Sequence, residues 1–229
     1  AYPDLVYAEY MSRAYKLWEE LEAASGREIL HPVGLLYFGA ESSPQIQGVI
    51  KGLRTLGEPH QVLRAEKAAD ALPGLRLKSN EVGVWTPDAG WVDANEALLG
   101  TWDLARKAGV EIRENSRVDR QQLELDFDRF VVCSGAWIRE WVDVPVTVSL
   151  QTFAYVQTTV NGPVWIEDSE PNPYGFPSDE LGLKIGIHRR GPEIDPHSAD
   201  RRPTPADLDE IRAVARRRIH DDRKQRREG

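Results

Sequence analysis

The sequence has little of what thiol, metal and phosphate chemistry is usually built from. A single cysteine, Cys133, stands among 229 residues, so no disulfide can close within the chain and no Cys-x-x-Cys is present. The five histidines, His31, His60, His188, His197 and His220, show none of the close spacings that converge on one ion, and no metal is expected. No two glycines are separated by a single residue, so Gly-x-Gly-x-x-Gly, the turn that lets a backbone approach a pyrophosphate at a helix N-terminus, does not occur. A phosphate-loop motif and a Gly-x-Ser-x-Gly elbow are missing too. No apolar run approaches the roughly 18 residues that cross a bilayer, and no apolar signal segment opens the chain; a membrane span is excluded and a reducing cytoplasm is the expected compartment. Acidic residues outnumber basic ones, 37 to 29, for a net charge of -8, which argues against a nucleic-acid surface. A small molecule is the expected partner.

What is present suffices for a core of one large or two small domains. From Asp4 to Ala24 the residues Ala8, Met11, Tyr15, Trp18 and Leu21 recur at three- and four-residue steps, a helix with one buried stripe that Gly26 stops. Ser43 as cap and Pro44 in the first turn open a helix to Leu56, and Ala65 to Leu72 reads as a short helix before Pro73-Gly74. Asp93 with Glu96 reads as a capping box for a helix running to Gly109, and Thr204-Pro-Ala-Asp207 opens the last helix. Strands are predicted at Val33 to Phe38, Gln61 to Ala65, from Val82, at Val110 to Arg113, before Ser134, within Val144 to Val160, at Pro163 to Glu167 and at Gly182 to His188. Cys133 falls in one of them and reads as a small buried hydrophobe. The basic run from Arg212 to Arg227 reads as a solvated or frayed tail.

One stretch organises the rest. Between Gly182 and His188, Leu183, Ile185 and Ile187 alternate with Lys184, Gly186 and His188, so a strand sends aliphatic side chains to one face and a lysine and a histidine to the other. Gly186 would leave open space between them, where a flat ligand or another backbone could approach. An ordinary strand with one solvated face has the same alternation.

Tyr174-Gly-Phe-Pro, Gly182-Leu-Lys-Ile-Gly-Ile-His188, Ile194-Asp-Pro196 and Asp128-Arg-Phe-Val-Val-Cys-Ser-Gly-Ala-Trp137 together resemble the signatures of the monomeric sarcosine oxidase and N-methyltryptophan oxidase family of FAD-dependent amine oxidases. The resemblance covers most of the chain and implies an α/β (α+β) architecture. Part of a FAD-binding α/β domain would join an antiparallel-sheet substrate domain, without the family's N-terminal Gly-x-Gly-x-x-Gly unit. It divides the chain into a FAD-side helix (1–27), substrate-domain strands (28–82), a remnant of the FAD-binding domain (83–145), a second substrate-domain part (146–203) and a terminal helix with its tail (204–229). It gives Lys184 and His188 catalytic roles, Lys184 near the flavin as the residue that promotes reaction with O2. Tyr174 would line the substrate side, and Trp165 stands either there or in the core. Val118, Ser134, Gly135, Ala136 and Trp137 would contact FAD. The implied reaction takes a secondary amine or amino acid and O2 to an imine and hydrogen peroxide.

Since the nucleotide motif is absent, the chain reads as an internal portion of a longer oxidase or as a shortened product that has lost FAD. A non-catalytic binding or scaffold domain, and a dehydrogenase of the same superfamily, are the competing readings.

Overall fold

Apolar runs from both halves of the chain meet in one mixed sheet. The computed structural model describes residues 2–158, 160–198 and 200–220. In chain order its elements are α1 (Leu5–Ser25), β1 (Leu30–His31), β2 (Leu35–Ala40), α2 (Pro44–Leu56), β3 (Gln61–Arg64), α3 (Ala65–Ala71), β4 (Glu81–Thr86), β5 (Trp91–Val92), α4 (Ala94–Lys107), α5 (Arg120–Asp126), a 3-10 helix (Gly135–Glu140), β6 (Phe153–Val156), β7 (Val164–Asp168), β8 (Pro173–Asp179), β9 (Gly182–Ile187) and α6 (Pro205–Arg218). Seven strands form the sheet in the order β3-β4-β2-β7-β8-β9-β6, while β1 and β5 pair separately. Every join in the large sheet is antiparallel except β2 with β7, which is parallel.

Local chemistry explains the helix ends. Ser43 accepts from the Gln45 amide ahead of Pro44, and Gly57 closes α2 in the left-handed region. Thr204 and Asp207 form a reciprocal capping box on α6. Asp93 makes only half of the expected box: it accepts from the Asn95 and Glu96 amides, but the Glu96 carboxylate turns to Arg27, 2.7 Å away. On α1 the predicted stripe is the inward one, yet it is half-buried and no residue of the helix is fully buried.

The two faces of the sheet are covered unequally. Residues in register share a face, so Leu36, Trp165, Gly175, Ile185 and Ala154 lie on one side. That side is packed under α3 and α6, through Ala68, Leu72, Ile211, Val214 and Ala215. On the reverse side α2 covers only the strands at one end, where Ile46, Val49 and Ile50 meet Tyr37, Val82 and Val84. The other end of that side, over β8, β9 and β6, has no helix upon it among the described residues.

Gly175 shows how tightly the packed side is built. A methyl group at Gly175 would stand 2.3 Å from the indole of Trp165, which is fully buried. Gly175→Ala is therefore expected to cost on the order of 1–3 kcal/mol through overpacking. At roughly 2–4 °C per kcal/mol, this is readable as a fall in Tm of several degrees. An unchanged Tm would mean that the indole moves aside freely.

Several expected strands do not form. Val110 to Arg113 and the run before Ser134 have no ladder partners among the described residues, and Val131 is 87 % exposed. A β-branched run becomes a strand only when its backbone groups find a neighbour, and none is present here. Cys133 is accordingly exposed, not buried. Within Val144 to Val160 the strand is limited to Phe153–Val156, with an isolated bridge from Ser149 to Glu193.

The basic run is also corrected in part. Arg218 is among the most buried side chains, held between Glu81 and Glu167. Arg223 to Gly229 lie outside the described residues.

Candidate functional site

The uncovered end of the sheet is where the family-signature residues gather. Phe153, Gly186 and Tyr174 stand in register on that side, with Tyr155 opposite Lys184 in the next row. The Gly175 to Ile185 pairing sets Phe176 beside Lys184, and the β8 register then shifts by one before Ser178. The alternation read from the sequence is therefore realised: Leu183, Ile185 and Ile187 are buried in the core, and Lys184 stands half-buried on the other face.

Gly186 serves a different purpose from the one expected. The space above it is filled by Tyr174, whose ring carbon Cζ and hydroxyl would lie 2.5 Å from any added methyl group. The glycine lets the tyrosine lie flat on the strand, and burial of the ring raises the phenol pKa, keeping it a protonated donor.

Lys184 is held by rings. Its Nζ lies 4.3 Å from the centre of Phe153 and 5.2 Å from that of Phe176, and no carboxylate pairs with it among the described residues. Edge-on contacts extend the aromatic array: Phe176 meets Tyr174 at 5.9 Å and Trp91 at 6.3 Å, and His31 stacks on Trp91 at 4.1 Å. A cation without a counter-ion, on an apolar and partly open surface, is a place for an anion or for developing negative charge.

The remaining predicted residues are distributed around this face or away from it. His188 follows β9 and is exposed, its backbone amide donating to Asn172. Four residues of strand put it roughly 13 Å along from Lys184, too far for contact. Trp165 lies in the core on the packed side under α3 and α6, against Leu36 and Gly175, so it does not line a hollow over Lys184. Of the two expectations for it, core is the outcome.

Val118 and Ser134 line a cavity of about 340 Å³ together with Leu123, Phe127, Phe130 and Trp141. That volume is at the lower end of the roughly 300–1,000 Å³ range of small-ligand sites. The Ser134 hydroxyl is buried there without a hydrogen-bond partner, a condition that native structures rarely leave unexplained. Gly135 follows at φ +55 with open space above it. Ala136 and Trp137 face a second hollow, where Trp137 meets His197 edge-on at 6.2 Å and His197 pairs with Glu140 at 2.6 Å.

Sequence reasoning missed the ring clamp on Lys184. The signal was available in the aromatic residues Phe153, Tyr155 and Phe176, but which strands lie beside Lys184 is a matter of register.

A sheet with one face closed by helices and a charged aromatic surface on the other defines the class, and comparison with known proteins names it. The family profile described as FAD dependent oxidoreductase (DAO) matches residues 1–228, and the chain belongs to that family. It is 27% identical over 228 residues to a monomeric sarcosine oxidase of Streptomyces avermitilis, covering 87% of this chain and 59% of that protein. An N-methyl-L-tryptophan oxidase of Yersinia pestis is 24% identical over 218 residues, covering 86% and 58%. The chain thus spans about three-fifths of the length of these relatives. Among solved structures, NikD, described as an unusual amino acid oxidase essential for nikkomycin biosynthesis, superposes with a TM-score of 0.67 at 20% identity, over 89% of this chain and 61% of that one, and shares its fold.

Proposed function

We propose that the chain forms the amine-binding sheet of a FAD-dependent oxidase that converts a secondary amine or amino acid and O2 to an imine and hydrogen peroxide. The observation that carries this reading is the lysine ammonium held among aromatic rings, with no carboxylate partner among the described residues, on the uncovered end of the sheet. The amine carbon gives up a hydride and its nitrogen a proton, and O2 leaves as hydrogen peroxide with two electrons and two protons. When bound, FAD supplies the two-electron relay between them.

The chain's own residues orient and polarise. Lys184 places a fixed positive charge where negative charge develops on oxygen, which lowers the barrier without any rearrangement at the moment of reaction. Tyr174 offers a protonated hydroxyl over Gly186, in the next row of the same face, and His188 follows beyond it. The aromatic rings exclude water from one side of the amine.

Ser134, Gly135 and Val118 fit a portion of the cofactor. The unpartnered Ser134 hydroxyl supports a polar ligand atom beside it, and the crowding-free Gly135 admits a close approach. Ala136 and Trp137 would complete that edge. The competing reading is a binding domain that acts without flavin.

A visible spectrum separates the two. Protein expressed from the complete reading frame is expected to show a flavin absorbance band that N-methyl amino acids bleach without oxygen, and to release hydrogen peroxide when air is admitted. A colourless protein from that frame would overturn the oxidase reading.

A further inference from the structure

We propose that Phe153 and Phe176 are positioning residues that fix the Lys184 ammonium in place, acting as a neutral clamp where most buried or half-buried lysines have a carboxylate. This rests on the reading of Lys184 as the residue that promotes reaction with oxygen.

The geometry is a grip from both sides. Phe153 comes from β6, the edge strand, and Phe176 from β8, so the cation on β9 has a ring on each neighbouring strand. Each ring has aromatic neighbours of its own: Phe153 meets Tyr155 edge-on at 6.0 Å, and Phe176 meets Tyr174 at 5.9 Å and Trp91 at 6.3 Å. The pairing of Tyr174 with Gly186 and Gly175 with Ile185 sets the next residue, Phe176, beside Lys184, so the strand register aims the ring at Nζ.

The choice of rings has a chemical consequence. A carboxylate would hold the lysine equally well but would cancel its charge. The ring quadrupole attracts the ammonium and leaves a net charge of one to act outward. Phe153 is 49 % exposed, which is costly for a residue with only a packing role, but the ring must stand at the open surface if the cation is to be held there. The lysine side chain is long and loses much rotamer freedom when fixed, so the clamp supplies pre-organisation that the strand backbone cannot.

The test has two arms. In protein labelled with 13C at lysine Cε, the Lys184 methylene protons, assigned with Lys184→Arg, are expected upfield of the other lysines because they lie over rings. Phe153→Leu should move them downfield by at least half of that displacement, Phe176→Leu by less, and Phe153→Tyr should keep them in place. A Lys184 resonance at the position of an exposed lysine, or one that Phe153→Leu leaves unmoved, overturns the clamp whether or not flavin is bound.

In the flavin-loaded full-length enzyme, the ratio of oxygen-dependent turnover to turnover with an artificial electron acceptor should fall by roughly three- to tenfold in Phe153→Leu and recover in Phe153→Tyr. If Lys184→Met lowers that ratio and the leucine variants do not, the positioning role is wrong and the reading of Lys184 stands. If Lys184→Met does not lower it, the reading of Lys184 itself fails.

Discussion

Lys184→Met in the full-length, flavin-loaded protein is expected to slow the reaction with oxygen by roughly 10²–10³-fold, the usual loss when one preorganised electrostatic group is removed from a developing charge. Flavin reduction by the amine, followed without oxygen, should change far less. The asymmetry follows from where the charge is needed. Among the described residues no carboxylate pairs with the ammonium, and it sits within cation–π distance of two rings. A positive charge presented in this way stabilises negative charge arriving at oxygen, but it gains little from a hydride leaving a neutral amine. Methionine keeps most of the length and apolar contact of the stem, so the rings and strand stay packed. Rapid-mixing traces of reoxidation with oxygen and of anaerobic reduction separate the two steps; equal slowing of both, or unchanged reoxidation, would remove Lys184 from the oxygen step.

What could be read from the sequence depended on how local its cause was. The helix from Pro44 to Leu56 has the predicted ends, because Ser43, Pro44 and Gly57 act within a turn of the residues they terminate. The same holds for Thr204 and Asp207 on α6. Alternation from Gly182 to Ile187 gave the correct inward face, since the period of two is a property of the strand itself. Strands predicted at Val110 to Arg113 and before Ser134 failed for the opposite reason: a ladder needs a second chain segment, and β-branched composition does not supply one.

The candidate site divides along the same line. Lys184 and Tyr174 were legible as motif residues, but the contents of the space over Gly186 were not. That space belongs to a ring from β8, brought there by the Tyr174 to Gly186 register. Trp165 could be read either as a pocket residue or as core, because its facing is set by pairing with Leu36 and Gly175, which puts it in the core. One overlooked signal was within reach. Glu167 has the same parity as Trp165 in a strand that opens Val-Trp-Ile, and a carboxylate on a core-facing position implies a buried cation somewhere.

Arg218→Met should then be the most destabilising single change, at about 3–5 kcal/mol, because it strands two carboxylates in the core. Arg218 uses all five of its donors: Nε and Nη2 reach Glu167 at 2.9 and 2.8 Å, Nη1 and Nη2 reach Glu81 at 2.8 and 2.7 Å, and Nη1 also reaches the Arg76 carbonyl at 2.9 Å. The three residues tie the C-terminal turn of α6 to β4 and β7, with relative exposures of 2 % for Arg218, 6 % for Glu81 and 1 % for Glu167. Burial pushes both carboxyls up, but the hydrogen bonds and charge of Arg218, joined by the Lys78 amide and ammonium on Glu81 and by Ser169 and Arg217 on Glu167, together outweigh it, so the net direction of both is down. Their contribution in the native protein is therefore present above the unfolded pKa of about 4.3 and lost as pH falls through the lower folded values. Without the guanidinium, burial acts with much less opposition, from Lys78 on Glu81 and from Ser169 and Arg217 on Glu167, and the direction is expected to reverse. In the variant the carboxyls favour the protonated form, so their contribution is present below about pH 4.3 and is lost as pH rises through the raised folded values. The gap in unfolding free energy between native protein and Arg218→Met should consequently widen from pH 4 to pH 7. Urea unfolding at the two pH values measures it, and a gap that does not change with pH would mean that the carboxylates find water. Replacing all three residues by apolar side chains, as Arg218→Met with Glu81→Leu and Glu167→Leu, should recover most of the loss, because the cost comes from stranded charge, not from the missing attraction.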